Sequence, residues 1–196
     1  SATYQQSSQY NDAALRTDGD NKYLWRYTPR RMDVELWRDS LMFATGELEQ
    51  QLGGPPQNDI LQSRRRTVYA SSSRNGDQFA SDRFLRLFDF ASPRASIAKR
   101  TTTTIPQQFL FMLNSQFMVD RARQFYGRLA VESEDPQTRI ERGYALLYNR
   151  EPSPDELEIG LKFISGENNT DPSDKIDKWI QYCQVLLSSN ELMFIR

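Results

Sequence analysis

The sequence contains no histidine and a single cysteine, Cys183. Without imidazole there is no base titrating near neutrality, no Ser-His or Cys-His nucleophile pair and no histidine metal ligand. One cysteine excludes an internal disulfide, a cysteine-rich zinc site and the Cys-x-x-Cys-His haem attachment motif. The residues therefore imply neither a metal nor a cofactor, and the chain leans away from catalysis. Long apolar runs are missing as well. The longest, Phe109 to Leu113, falls far short of the ~20 residues a membrane span requires, so no span is expected. No signal-peptide pattern is present and the chain opens at Ser1, which reads as a processed or trimmed product.

Excess charge of one sign is the next absence. A net charge of -1 gives no global field to attract nucleic acid, and none is expected as a partner. The distribution is uneven, though. Residues 22–100 hold fourteen basic and nine acidic side chains, whereas 132–177 hold five and twelve. Either these regions face each other or are simply solvated, or they form an arginine-bearing patch for an anionic ligand. Arginine outnumbers lysine twenty to five, which suits two-pronged pairing with carboxylate, sulfate or phosphate.

What remains is a globular composition with helical patterning. With 196 residues and 12% aromatics the chain can bury a core of its own. Residues 1–21 are polar and read as loop, with a short helix near Ala13 to Arg16. Asp18, Gly19, Asp20 and Asn21 lack the alternation of a calcium loop and read as an Asx-capped turn. From Asp33 to Leu52, apolar residues at Val34, Trp37, Leu41, Ala44, Leu48 and Leu52 predict a helix stopped by Gly53-Gly54-Pro55-Pro56. Arg64 to Ser71 predicts a strand, for which Leu192 to Ile195 is a candidate partner. Phe79 to Phe90 reads as a short helix or an aromatic-packed segment, and Ser92 to Arg100 as a loop.

Thr104 and Pro106 open the next helix. Apolar residues on every face from Gln107 to Leu113 predict that this helix is central and buried. A break at Asn114-Ser115 precedes a second amphipathic helix through Leu129. Asp135-Pro136 and Ser153-Pro154-Asp155-Glu156 are further starts, the latter with Ser as cap and Glu three residues later. After a polar loop from Asn168 to Pro172, a last helix runs from Asp174 to Ser188. The fold class expected is mainly α, a multi-helix orthogonal bundle with at most a short two-stranded β element.

Several blocks, in their order, resemble a known family. Asn21-Lys22-Tyr23-Leu24-Trp25-Arg26, Pro29-Arg30-Arg31-Met32-Asp33, Arg38-Asp39 and Gly46 form the first group. Arg65-Arg66-Thr67-Val68-Tyr69, Phe88-Asp89, Arg100 with Thr103-Thr104-Ile105-Pro106-Gln107, Leu113-Asn114 and Ser189-Asn190-Glu191-Leu192 follow. Together they are similar to the C-terminal part of the planctomycete-specific, PSD-type domain of unknown function. Gly19, Phe90-Ala91 and Leu192-Met193-Phe194 depart from the family pattern. The resemblance implies helices upstream of Ser1 and a large exported, extracytoplasmic protein. It also implies a cytochrome-c-like haem domain elsewhere in such chains as a candidate partner. It brings no activity and no catalytic residues.

On this reading residues 1–196 are a single domain, the C-terminal part of a larger module. It comprises a loop-rich segment 1–32, core helices and a strand over 33–131, and a C-terminal helical subdomain over 132–196. The expected function is a non-catalytic interaction or scaffolding module, meeting the upstream part of the same protein or another protein. The alternative is a carbohydrate-active or anionic-glycan-binding module, with polysaccharide as partner. Its candidate anion site is Arg30, Arg31, Arg65, Arg66 and Arg100, against which stands simple pairing with Asp33, Asp39, Asp89 or Glu191. Strand alternation would put Arg64 and Arg66 on one face and Arg65 on the other. Asn114 and Asn190 are expected to serve structure, Asn114 as a buried amide capping the following helix. Tyr4, Tyr10, Tyr23, Trp25 and Tyr27 either stack sugars beside arginine or anchor the N-terminal segment. If upstream helices belong to the same module, an apolar patch should lie open on this chain.

Overall fold

Short polar side chains open six of the described helices, each oxygen taking an N–H that the first turn leaves unpaired. The helices that begin after Asp33, Phe79 and Ile105 have no such cap, so Thr104 does not close the turn it was expected to. A computed structural model describes residues 1–166 and 177–195, and among these the chain is mainly α-helical. Asn11 caps α1 (Asp12–Thr17) through the Ala14 N–H. Ser115 caps α5 (Gln116–Glu132), Asp135 caps α6 (Pro136–Tyr148) and Ser153 caps α7 (Pro154–Ser165). At Ser153 the box is reciprocal: Glu156 accepts from the Ser153 N–H at 2.8 Å, as the spacing predicts. Asp177 caps α8 (Lys178–Leu187) and Ser189 caps the four-residue α9 (Asn190–Met193). The expected start of the last helix at Asp174, and the polar loop before it, lie outside the described residues.

The 17-residue α5 forms the spine. Met118, Ala122, Phe125 and Leu129 are buried along one stripe, and α5 packs along α8 more extensively than any other described pair. Against it lie α2 (Val34–Ala44) through Trp37, Leu41 and Met42, and α3 (Ala80–Leu87) through Phe84 and Leu85. Trp37 stacks on Phe88 with ring centroids 4.9 Å apart. A second cluster joins Ile140 and Tyr144 of α6 to Trp179, Tyr182 and Leu186 of α8. The only described sheet is two-stranded and antiparallel, β1 (Arg30–Arg31) against β2 (Phe194–Ile195).

Four expectations change on contact with the fold. The helix begun at Asp33 ends at Ala44, not Leu52. Gly46 adopts φ +79°, and the Glu47 N–H reaches the Met42 carbonyl (2.9 Å) while the Gly46 N–H reaches Phe43 (3.0 Å). This pair of bonds closes a Schellman terminus, which only a left-handed residue completes without strain. Arg64 to Ser71 is not a strand but extended chain entering a 3₁₀ turn, Thr67–Tyr69, touched by isolated bridges Glu49 to Arg65 and Gln57 to Ala70. The C-terminal strand accordingly pairs with β1. Finally, α4 (Pro106–Asn114) is not central: it buries Gln108 and Met112 but leaves Phe109 36%, Leu110 57% and Leu113 56% exposed. Its packing contacts run along one stripe, so apolar residues on its remaining faces stay at the surface.

Candidate functional site

Leu36, Ser40 and Phe43 recur at helical spacing on α2, on the side opposite its buried stripe. With Val68, Leu48, Phe90, Leu146 and Leu147 they line an open cleft of about 800 Å³. Leu36 is 49%, Phe43 61% and Val68 68% exposed, so the cleft presents apolar knobs to solvent rather than an enclosed cavity. An open apolar patch of the kind expected from the sequence is therefore present.

Charged groups stand at the margins of the cleft. Arg100 is held two-pronged by Glu35, both bonds 2.8 Å, with Asp33 at 3.8 Å and the Phe90 ring 4.9 Å away. The Glu35 hydrogen bonds hold the Arg100 guanidinium above its ordinary range. Asp39 accepts from the N–H and hydroxyl of Thr67 at 2.8 and 2.6 Å and lies 3.6 Å from Arg38. Arg66 approaches the other Asp39 oxygen at 3.5 Å with half its side chain exposed, and among the described residues no further acceptor meets it. It is the cation in the cleft with donors to spare. Glu35 and Asp39 both stand on α2, one turn apart, each engaged by its neighbours. Glycoside hydrolysis uses two acids set ~5 to 10 Å apart on either side of a bond, and this pair does not face itself across the cleft.

The five candidate arginines are not gathered into one site. Only Arg66 and Arg100 share the cleft. Arg31 meets Asp89 at 3.6 Å, Gln108 Oε1 at 3.0 Å and the Thr103 carbonyl. Burial lowers its guanidinium, against the pull of Asp89. Arg65 points inward, stacks 3.8 Å over Tyr69 and donates to the carbonyls of Gly53 and Pro55. Arg30 is exposed on β1. The alternation expected of residues 64–66 does appear, Arg65 buried between exposed Arg64 and Arg66, although no strand carries it. Asn114 and Asn190 are exposed, and the adjacent Ser115 and Ser189 do the capping. Serine reaches the N2 or N3 N–H with a shorter side chain, and the chain turns into extended geometry at those residues.

Sequence reasoning named Arg38 only as a motif residue and missed its role. Arg38 is fully buried and donates to the carbonyls of Ile60, Ser63 and Arg65 and to the Thr67 hydroxyl. Desolvation pulls its guanidinium down to about 10, opposed by Asp39, so it stays charged at neutral pH. This clamp fixes residues 60–67, and with them the Arg66–Val68 wall of the cleft. The signal was present: position 38 sits four residues after Val34 and three before Leu41, on the core face of α2. Cys183 is buried, and burial pushes its thiol up to about 12, which removes it as a nucleophile near neutrality. Among the described residues no cluster of acidic, cysteine or histidine side chains has the arrangement of a metal site, and no helix is long and apolar enough to cross a membrane.

A comparison with known families gives a match over most of the chain. The family model PSD1, a protein of unknown function (DUF1553), matches residues 1–164. No curated protein and no solved structure matches the chain.

Proposed function

The chain belongs to the PSD1 family of proteins of unknown function (DUF1553), and from that premise we propose that it is a protein-docking module. Its cleft takes an amphipathic helix from outside residues 1–196, with an apolar stripe seated on Leu36, Phe43 and Val68 and a carboxylate meeting Arg66. The supporting observation is the combination of exposed apolar knobs with one under-used cation at their edge. Open apolar grooves of this kind suit a helix laid along them, read through residues at helical spacing. Each large apolar side chain so covered contributes ~1.5 to 3 kcal/mol before ordering costs.

We place the module at the C-terminal end of a larger exported, extracytoplasmic planctomycete protein, the occupant coming from the upstream part of that protein or from a separate one. A cytochrome-c-like haem domain is a candidate neighbour. These placements rest on the motif resemblance alone.

The test uses two synthetic helical peptides with one Leu/Phe stripe, differing in a single flanking Glu or Lys. Fluorescence anisotropy should give saturable binding of the Glu peptide, about fivefold or more tighter than the Lys peptide at low salt. Phe43→Ser and Val68→Ser should each weaken it about tenfold. Both positions are exposed, so the fold should survive. Saturable binding of neither peptide, or binding indifferent to both substitutions, would overturn the proposal.

A further inference from the structure

Arg26, in the N-terminal segment, meets rings rather than an acidic partner among the described residues. The Arg26 guanidinium lies 4.3 Å from the Tyr10 ring and 5.0 Å from the Trp25 ring. None of its N–H groups meets an acceptor among the described residues, and Nε is buried without one. Three other arginines also have a buried Nε lacking an acceptor, but each is otherwise satisfied. Arg38 and Arg65 donate through their terminal nitrogens to carbonyls, and Arg121 lies 2.9 Å from Glu47. The terminal nitrogens are not buried, so they stand open to an incoming anion while the rings hold the guanidinium in place.

The loop that carries Arg26 is built in advance. The Asp18 carboxylate accepts the N–H groups of Lys22 (2.9 Å) and Tyr23 (2.7 Å), four and five residues on, a wider span than the Asx turn expected here. The Asp18 carbonyl takes the Trp25 indole N–H at 2.8 Å. Asn21 reaches across to the Arg26 carbonyl (2.8 Å) and the Thr28 hydroxyl (3.0 Å). Within this frame Leu24 is held at φ +57°, a conformation a bulky side chain adopts only when its surroundings impose it. The loop thus spends backbone strain to present its rings and its cation, while Tyr10 remains 71% and Tyr23 85% exposed.

We propose that Tyr10, Trp25 and Arg26 bind one anionic sugar unit, a pyranose bearing a carboxylate or sulfate. The flat C–H face of the ring lies on the exposed aromatic surface, and the oxyanion takes the free guanidinium donors. None of these residues lines the docking cleft, so this site stands apart from that reading. One cation between two rings, on a chain of net charge -1, answers one anion, not the phosphate track of a nucleic acid. An acidic peptide would supply the carboxylate but no flat apolar face for the rings.

Isothermal titration of the whole chain tests this with four probes: a galacturonate trisaccharide, a sulfated galactose trisaccharide, neutral galactotriose and tetraglutamate. At least one anionic sugar should bind about tenfold or more tighter than galactotriose and tetraglutamate, with a change in tryptophan fluorescence and weakening by salt. Which of the two binds identifies carboxylate or sulfate as the anion. Arg26→Gln and Tyr10→Ala should each weaken binding about fivefold or more with unchanged circular dichroism, while Phe43→Ser leaves it intact. Should Arg26→Gln fail to fold, Arg26→Lys, which keeps the charge but not the planar fork, carries the same expectation. Absence of binding by both anionic sugars, equal binding of the neutral sugar or the peptide, or an Arg26 variant that binds like the parent would overturn the proposal.

Discussion

Removing the Arg38 side chain would strip the donors from Ile60, Ser63, Arg65 and Thr67 together. Buried acceptors then lose their partners and a void opens beside Ile60, so Arg38→Ala should cost about 3 kcal/mol or more in urea unfolding. A loss under about 1 kcal/mol would mean that residues 60–67 hold their shape without the clamp. Gly160 makes the opposite kind of case. In an exposed helix, alanine in place of glycine gains about 1 kcal/mol. Here a methyl group would stand 2.7 Å from the Tyr182 hydroxyl and 3.0 Å from Ile140 Cδ1. Gly160→Ala should therefore destabilise by about 1 to 3 kcal/mol, and a neutral or stabilised variant would contradict the α7–α8 contact.

Among the elements, the starts at Asp135 and Ser153 were the most legible, because each acts on an N–H only three residues away, whereas the cap expected of Asn114 falls to Ser115. Ends set by backbone conformation were harder. Gly46 stops α2 inside an apolar period that runs on to Leu52, and the period carried no mark of the turn. Residues 64–71 read as strand by propensity, yet the partners that decide their shape, Arg38 and Asp39, come from another element. The apolar faces of α4 misled for a related reason: sequence reports what a helix would bury, not what is there to cover it. Of the candidate site, the arginine inventory was legible but its pairing was not, since Glu35 meets Arg100 across 65 positions.

The turn between α6 and α7 carries a pH prediction. Arg150 grips Glu156 and Glu191 two-pronged, all four bonds 2.7 to 2.8 Å, joining that turn to α9. The Arg150 hydrogen bonds, helped by Ser153, lower Glu156 from 4.5 to about 2. A depressed carboxylate stabilises the fold above its unfolded value, so this contribution is present above pH 4.5 and is lost as pH falls towards 2. Both side chains are about one-third exposed, so after solvent screening it amounts to about 1 kcal/mol. Arg150→Met should flatten the pH dependence of stability in that window, measured by urea unfolding at pH 6 and pH 3. An unchanged slope would show that the pair does not act as described.

At the scale of the whole molecule, two clusters share α8, which sits against α5 on one side and α6–α7 on the other. Exposed apolar side chains gather in two places, Leu36, Phe43 and Val68 at the cleft and Phe109, Leu110 and Leu113 on α4, while others such as Leu52, Val131, Ile159 and Val185 stand elsewhere on the surface. The knobs Leu36, Phe43 and Val68 beside Arg66 are what the docking proposal rests on. Methyl-labelled nuclear magnetic resonance with the Glu-bearing helical peptide tests it most directly. The account predicts saturable shifts concentrated at Leu36, Leu48, Val68, Leu146 and Leu147, with core methyls such as Leu129 and Ile140 unmoved. Shifts scattered over the surface, or none at saturating peptide, would contradict it.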